Sequence, residues 1–176
     1  MNETKKEKKL EDKRAQYRKF FRDSDIENSY RACMRLLDTG IFNSTNVTSP
    51  LYEAAVTQIL VCLSDLVQKA DADGYRITTT DHVDINEEVK DVTDLITRSR
   101  NAACHISSPL QEIDTSRFRF CVAAGKCTVI QFGDFAMGCE FDDDIAVWYG
   151  RYRIYLKRHV VTVLNRLSEI YPAVRG

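Results

Sequence analysis

The hydrophobic period of this chain changes near its middle, and that change limits the folds open to it. Up to Pro109 the apolar residues recur mostly at helical spacing. From Arg117 the stretch RFRFCVAAGKCTVIQFGDF alternates and is rich in Phe, Val and Ile. With Gly125-Lys126 and Gly133-Asp134 as turns, it predicts a β-hairpin or small meander ending near Cys139. Helical spacing returns over Ile154 to Tyr171, with Leu156, Val160, Val163, Leu164 and Leu167 inward.

The helical part divides at recognisable signals. Leu10 to Leu37 reads as one long helix, or as two broken near Asp23-Ser24-Asp25, and Gly40 ends it. Asn43 to Thr48 holds two Asn-x-Ser/Thr triplets and reads as a polar turn. Ser49-Pro50 then supplies a capping serine and a proline at the first helical position. The helix that follows, Leu51 to Ala70, has an apolar face of Ala55, Ile59, Cys62, Leu63 and Leu66. After a turn at Asp73-Gly74, residues 75–83 show no clear period, and a third helix is predicted from about Asn86 to Ile106, where Pro109 forbids continuation. The expected fold is mainly α: an up-and-down bundle of four to five helices with a small β-hairpin insertion, at about 117–139, before the last helix. At 176 residues, 44% hydrophobic, the chain suits a single domain over 23–176, preceded by a basic segment 1–22 that is a tail or the start of the first helix.

The net charge of -1 conceals segregation. Residues 1–22 carry nine basic and four acidic side chains, and 150–176 carry six and one, whereas 23–149 carry ten and twenty-one. Basic ends of this kind can attract phosphate although the whole chain is near neutral. The acidic run Glu140 to Asp144 is expected to be a solvated loop, without the histidines a metal site would want. Six cysteines without a C-x-x-C pair indicate neither zinc nor redox chemistry. No stretch of eighteen consecutive apolar residues occurs and the N-terminus has no apolar leader, so the expectation is a soluble, cytoplasmic protein with no membrane partner.

The third helix carries the candidate chemistry. On a helical wheel Ile85, Val89, Val92, Ile96, Ala103 and, more loosely, Ile106 form its core stripe. Asp94, Arg98, Asn101 and His105, at spacings of four, three and four, lie opposite them as a polar stripe expected to face away from the core. Arg100 sits on the flank, about 140° from His105. Histidine near neutrality can take or give a proton, and arginine can hold a phosphate oxygen.

The run RNAACH, Arg100 to His105, resembles the hallmark of the HEPN superfamily: an Arg, a polar residue immediately after it, and a His closing the motif. The later YGRYRIYLKRH, preceded by a β-rich insert, is similar to small HEPN proteins borne on plasmids and prophages. The resemblance implies a helical bundle and a metal-independent endoribonuclease whose two motifs meet across a homodimer, a toxin or phage-defence effector with a cognate antitoxin. It implies catalytic roles for Arg100, Asn101 and His105, no cofactor and no metal. Arg98, Arg151, Arg153, Lys157 and Arg158 are the basic residues expected to hold the RNA. His159 is a weaker candidate for a second catalytic histidine, and His82 is expected to serve a loop. The other readings are a catalytically inactive nucleic-acid or nucleotide binding module, and a structural partner protein whose polar stripe is only an interface.

Overall fold

The computed structural model describes residues 2–105, 109–113, 116–133 and 135–174, with side chains from residue 7. Helix α1 (Asn2–Asp38) is continuous through Asp23-Ser24-Asp25 and ends before Gly40, whose φ of 71° lets the chain turn away. In the next turn the Asn43 side chain accepts from the backbone N–H of Thr45 at 2.9 Å and of Asn46 at 3.2 Å. Helix α2 (Pro50–Ala72) starts as its sequence predicts, with the Ser49 side chain accepting from Leu51 N–H. It is long and apolar enough to cross a membrane, but Ile59, Leu60, Leu63, Leu66 and Val67 are fully buried inside the chain's own core.

Helix α3 (Val92–Cys104) is shorter than its sequence predicts. Asn86 folds its own side chain back, accepting from Glu88 N–H at 2.8 Å and Val89 N–H at 3.0 Å, which holds the backbone in a turn. Asp91 then caps the helix, accepting from Asp94 N–H at 2.9 Å. Val89 is therefore a core residue but not a helical one, while Ile85 is exposed. The buried stripe is Val92, Leu95, Ile96, Ser99 and Ala102, with Ala103 at its margin. Ile106 lies outside the described residues.

Beyond α3 the fold departs from the predicted bundle. Among the described residues seven strands follow: β1 (Glu112–Ile113), β2 (Ser116–Arg117), β3 (Cys121–Ala124), β4 (Cys127–Phe132), β5 (Phe135–Cys139), β6 (Ile145–Tyr149) and β7 (Tyr152–Tyr155). They form three small antiparallel sheets, β1-β2, β3-β6-β7 and β4-β5. The chain is thus not an up-and-down bundle with one hairpin inserted, but a set of helices packed on an antiparallel sheet that a second hairpin covers. The turn at Gly125-Lys126 does not close a hairpin, because β3 pairs with β6 and not with β4. The Gly133-Asp134 turn includes Asp134, which lies outside the described residues. The predicted last helix is also divided: β7 takes Ile154 and Tyr155, a π-helical segment spans Leu156–Val161, and helix α4 (Thr162–Ile170) completes it.

The three-stranded sheet is buried on both faces. Val122, Val147, Tyr149, Tyr152 and Ile154 join the main core with α1, α2 and α3. Ala123, Ala146, Trp148 and Tyr155 face the other way, against Met137 and Cys139 of β5. Strand alternation divides one sheet between two cores. The β6-β7 turn presses on the segment after α3, where a Cβ at Gly150 would stand 2.3 Å from the Leu110 carbonyl oxygen. Gln111 in turn donates to the Ala102 carbonyl at 2.8 Å. These contacts fix the C-terminal end of α3.

Candidate functional site around the end of the third helix

Arg76 positions the start of α3. Its guanidinium bonds Asp91 at 2.8 and 3.0 Å, Asp94 at 2.6 Å and Asp71 at 2.7 Å. Asp94 thereby leaves the polar stripe and becomes part of an internal ion-pair network. Burial works against its charge, but the Lys90 N–H and Arg76 outweigh this and hold its carboxyl below the usual range. Arg98 is half-buried, and its charge is felt by both Asp94 and the Tyr152 hydroxyl. That hydroxyl, pushed up to about 12 by burial and by its 2.9 Å bond to Glu88, marks the side of α3 that lies on β7.

The motif residues divide differently. Arg100 Nη1 donates to Asn101 Oδ1 at 2.9 Å, and both side chains are half-buried. His105 is the C-terminal capping residue, its backbone N–H bonded to the Asn101 carbonyl at 3.0 Å and its side chain exposed. Among the described residues its imidazole has no hydrogen-bond partner. With Asn101 Oδ1 committed to Arg100, the Nδ2 donor is the end of that amide left to meet an imidazole nitrogen. The stripe is therefore less open than the wheel implies. α3 is covered by α2 on one side and by β6 and β7 on another, and its exposed residues, Cys104 and His105, are at its C-terminal end.

The five expected RNA-holding cations are not gathered in one place. Arg151, exposed in the β6-β7 turn, donates to the Glu112 carbonyl at 3.3 Å beside the end of α3. Arg153 is mostly buried, stacked on Trp148 and Tyr155, and ion-paired with Asp84 at 2.8 Å and Glu140 at 2.6 Å. Lys157 and Arg158 both pair with Asp143, whose carboxyl they draw down to about 2. Arg158 also lies over the Phe141 ring at 3.6 Å and bonds Asp144 at 3.0 Å. An RNA phosphate would have to compete with carboxylates of the same chain at three of these five positions.

The acidic run is solvated at Glu140, Asp142 and Asp143 but not at its last residue. Asp144 is buried, and its carboxylate accepts from Ile145 N–H at 2.7 Å, Lys157 N–H at 2.8 Å and Arg158 N–H at 3.0 Å. The π-helical segment has no capping bond from the side chain of the residue that precedes it, Tyr155. Asp144 supplies the cap from another segment. Among the described residues no three His, Cys, Asp or Glu side chains are grouped as a metal site requires. A cavity of about 610 Å³ lies between the β1-β2 ribbon and the β4-β5 hairpin, lined by Ile113, Phe118, Ile130, Phe135 and Met137. Arg100, Asn101 and His105 do not line it.

The other two histidines serve the fold. His82 has a positive φ of 59° in its loop and packs on Phe141. His159 is buried, accepting at Nδ1 from Tyr155 N–H at 3.1 Å and donating from Nε2 to the Asp81 carbonyl at 3.1 Å. With both ring nitrogens engaged, it has none left for a substrate. Burial depresses its affinity for a proton to about 4. The unfolded chain, titrating near the ordinary value of about 6.5, binds a proton in this window that the folded chain refuses. Stability therefore rises with pH from about 4 to 6.5 and is lost as pH falls through that range, by roughly 3 kcal/mol from this residue. Urea unfolding at pH 7.5 and 4.5 should show the loss, and His159→Gln should flatten it. An unchanged pH slope in that variant would remove the assignment.

Comparison of the chain with protein-family models, with curated proteins and with solved structures finds no match. The functional reading therefore rests on the geometry described above.

Proposed function

We propose that the chain is a metal-independent endoribonuclease of HEPN type, a toxin or phage-defence effector, whose cleft is completed by a second copy. The observation that carries this reading is the Arg100–Asn101 hydrogen bond one turn before an exposed His105 at the free end of α3. RNA brings its own nucleophile. The 2'-oxygen attacks phosphorus, the bond to the 5'-oxygen breaks, and a 2',3'-cyclic phosphate and a 5'-hydroxyl result. His105 takes the 2'-hydroxyl proton, and the same residue of the second copy protonates the departing 5'-oxygen, since one imidazole does not easily do both. Arg100 stabilises the charge gathering on the phosphorane oxygens. Asn101 holds Arg100 and presents its amide donor toward the imidazole. Arg151, beside the same helix end, is the best placed of the C-terminal cations to meet the RNA backbone.

A second reading has its own support. Asp94 is tied to Arg76, and Arg153, Lys157 and Arg158 are ion-paired, which suits a catalytically silent binding module or a structural partner protein. Turnover decides between them. Purified protein incubated with labelled tRNA and mRNA in EDTA should cut and leave 2',3'-cyclic phosphate ends. Cleavage abolished by EDTA and restored by Mg²⁺ would overturn the mechanism. A monomer at micromolar concentration, with activity undiminished on dilution, would overturn the shared cleft.

A further inference from the structure

The first half of α1 stands clear of the rest of the chain. Every side chain from Glu7 to Arg22 is exposed, and Ile26 is the first buried residue. Among the described residues the first bond to another element is Arg22 to Asp73 at 2.6 Å. Glu7 to Phe21 alone make a rod of about 22 Å. An isolated helix of that length is marginal in water without something to pack on.

What this rod displays is specific. Leu10, Tyr17, Phe20 and Phe21 are 51 to 67% exposed, a cluster of large apolar side chains on three turns. On the helical wheel Leu10, Tyr17 and Phe21 fall within about 40° of one another, with Phe20 at their edge. Ile26 and Cys33, by which α1 packs on α2, lie nearly opposite. The exposed stripe is therefore not a continuation of the core stripe but faces away from the molecule. Cations flank it on both sides: Lys9 and Lys13 along one edge, Arg14 and Arg18 along the other. None of these four has an ion-pair partner among the described residues. Each pair is also a like-charge neighbour at i, i+4, an arrangement that weakens the free helix and that a polyanion would relieve.

Three occupants can be weighed against this pattern. Two arms laid together would set like charge against like, since residues 1–22 carry nine basic and four acidic side chains each. A membrane-surface helix segregates its cations from its apolar face. Here Lys13 falls between Phe20 and Tyr17 on the wheel and would hold that edge of the apolar face out of the hydrocarbon. Cations alternating with aromatic rings on one face suit a single strand, whose phosphates and base faces alternate in the same way.

We propose that the outer face of α1 from Lys9 to Phe21 is a docking surface for single-stranded RNA, with Lys9, Lys13, Arg14 and Arg18 on phosphates and Tyr17, Phe20 and Phe21 stacked on bases. This surface lies at the opposite end of the molecule from His105. Arg22–Asp73 and Arg76–Asp71 place the C-terminal end of α2 beside the base of the arm and the start of α3. His105 is at the far end of α3. The arm shares RNA with the proposed cleavage site but none of its residues, so the two assignments can fail separately.

The test is fluorescence anisotropy of the full chain with a labelled 2'-O-methyl oligouridine of about 20 nucleotides, which binds but cannot be cleaved. Changing Tyr17, Phe20 and Phe21 together to Ala should weaken binding by about ten-fold per stacked base. Changing Lys9, Lys13, Arg14 and Arg18 together to Gln should reduce the slope of log affinity against log salt by about 3. Circular dichroism and urea midpoints should stay close to the parent, because these side chains are exposed and Phe20 and Phe21 meet only each other edge-to-face among the described residues. Affinity and salt slope unchanged in both variants would overturn the proposal. So would tight binding to phosphatidylglycerol vesicles with none to RNA, or self-association abolished by the aromatic changes with RNA affinity intact.

Discussion

Asp144→Ala is expected to be the most damaging single change to the fold, lowering the unfolding free energy by about 3 to 5 kcal/mol. The carboxylate is buried and accepts four bonds, three from backbone N–H groups of Ile145, Lys157 and Arg158 and one from the Arg158 guanidinium. Alanine removes all four acceptor contacts while leaving the donors in place. The Lys157 and Arg158 donors then lie at the entrance to the π-helical segment, which has no side-chain cap from the residue that precedes it. Arg158 also loses one of its two carboxylates while its guanidinium remains held over Phe141. Asp144→Asn keeps one acceptor oxygen and should fall between alanine and the parent. Urea titration of the three proteins at neutral pH gives the order directly, and an alanine variant within about 1 kcal/mol of the parent would contradict it.

Asp144 also shows where sequence reasoning stops. A run of five residues rich in Asp and Glu reads as solvated because nothing local tells which carboxylate the rest of the chain will bury. Its partners, Lys157 and Arg158, looked like an RNA-binding run for the same reason. Both readings fail on one tertiary contact. Signals that act within a few residues were legible: the Ser49-Pro50 start of α2, the turns at Gly40 and Gly74, and the inward set Leu156, Val160, Val163, Leu164 and Leu167. The start of α3 was misread because Val89 fits a helical stripe, whereas the side chains of Asn86 and Asp91 decide the backbone. Strands β6 and β7 were missed for another physical reason. A strand buried on both faces, such as Ile145–Tyr149, shows a continuous apolar run instead of alternation, and only its pairing with β3 distinguishes it. The Arg100, Asn101 and His105 set was visible as a local motif. That Asp94 leaves the polar stripe to pair with Arg76 was not.

The placement of the two arginines bears on which of them serves His105. On the wheel Arg98 shares the histidine's face, and Arg100 lies on the flank. In the folded chain both arginines are half-buried, but Arg100 is bonded to Asn101, one turn before His105. A guanidinium that stabilises a phosphorane must be held in place beforehand yet not already neutralised by a carboxylate. Bonded to a neutral amide, Arg100 meets both conditions. Arg98, with no hydrogen bond to hold its guanidinium among the described residues, fails the first. Loss of either catalytic partner should cost about 10² to 10⁴ in rate, or roughly 3 to 5.5 kcal/mol of transition-state stabilisation. Neither site is in the core, so both alanine variants should fold. Asn101→Ala should release Arg100 and lower the rate less than loss of Arg100 itself.

The most direct measurement is single-turnover cleavage of one labelled RNA, in EDTA, by the parent and by Arg98→Ala, Arg100→Ala and His105→Ala proteins matched for circular dichroism. The proposed site predicts folded, inactive proteins at positions 100 and 105 and most of the parent rate at position 98. Folded proteins that cut at the parent rate with both Arg100 and His105 replaced would contradict it, and the reverse order of the two arginines would move the phosphate-binding role to Arg98.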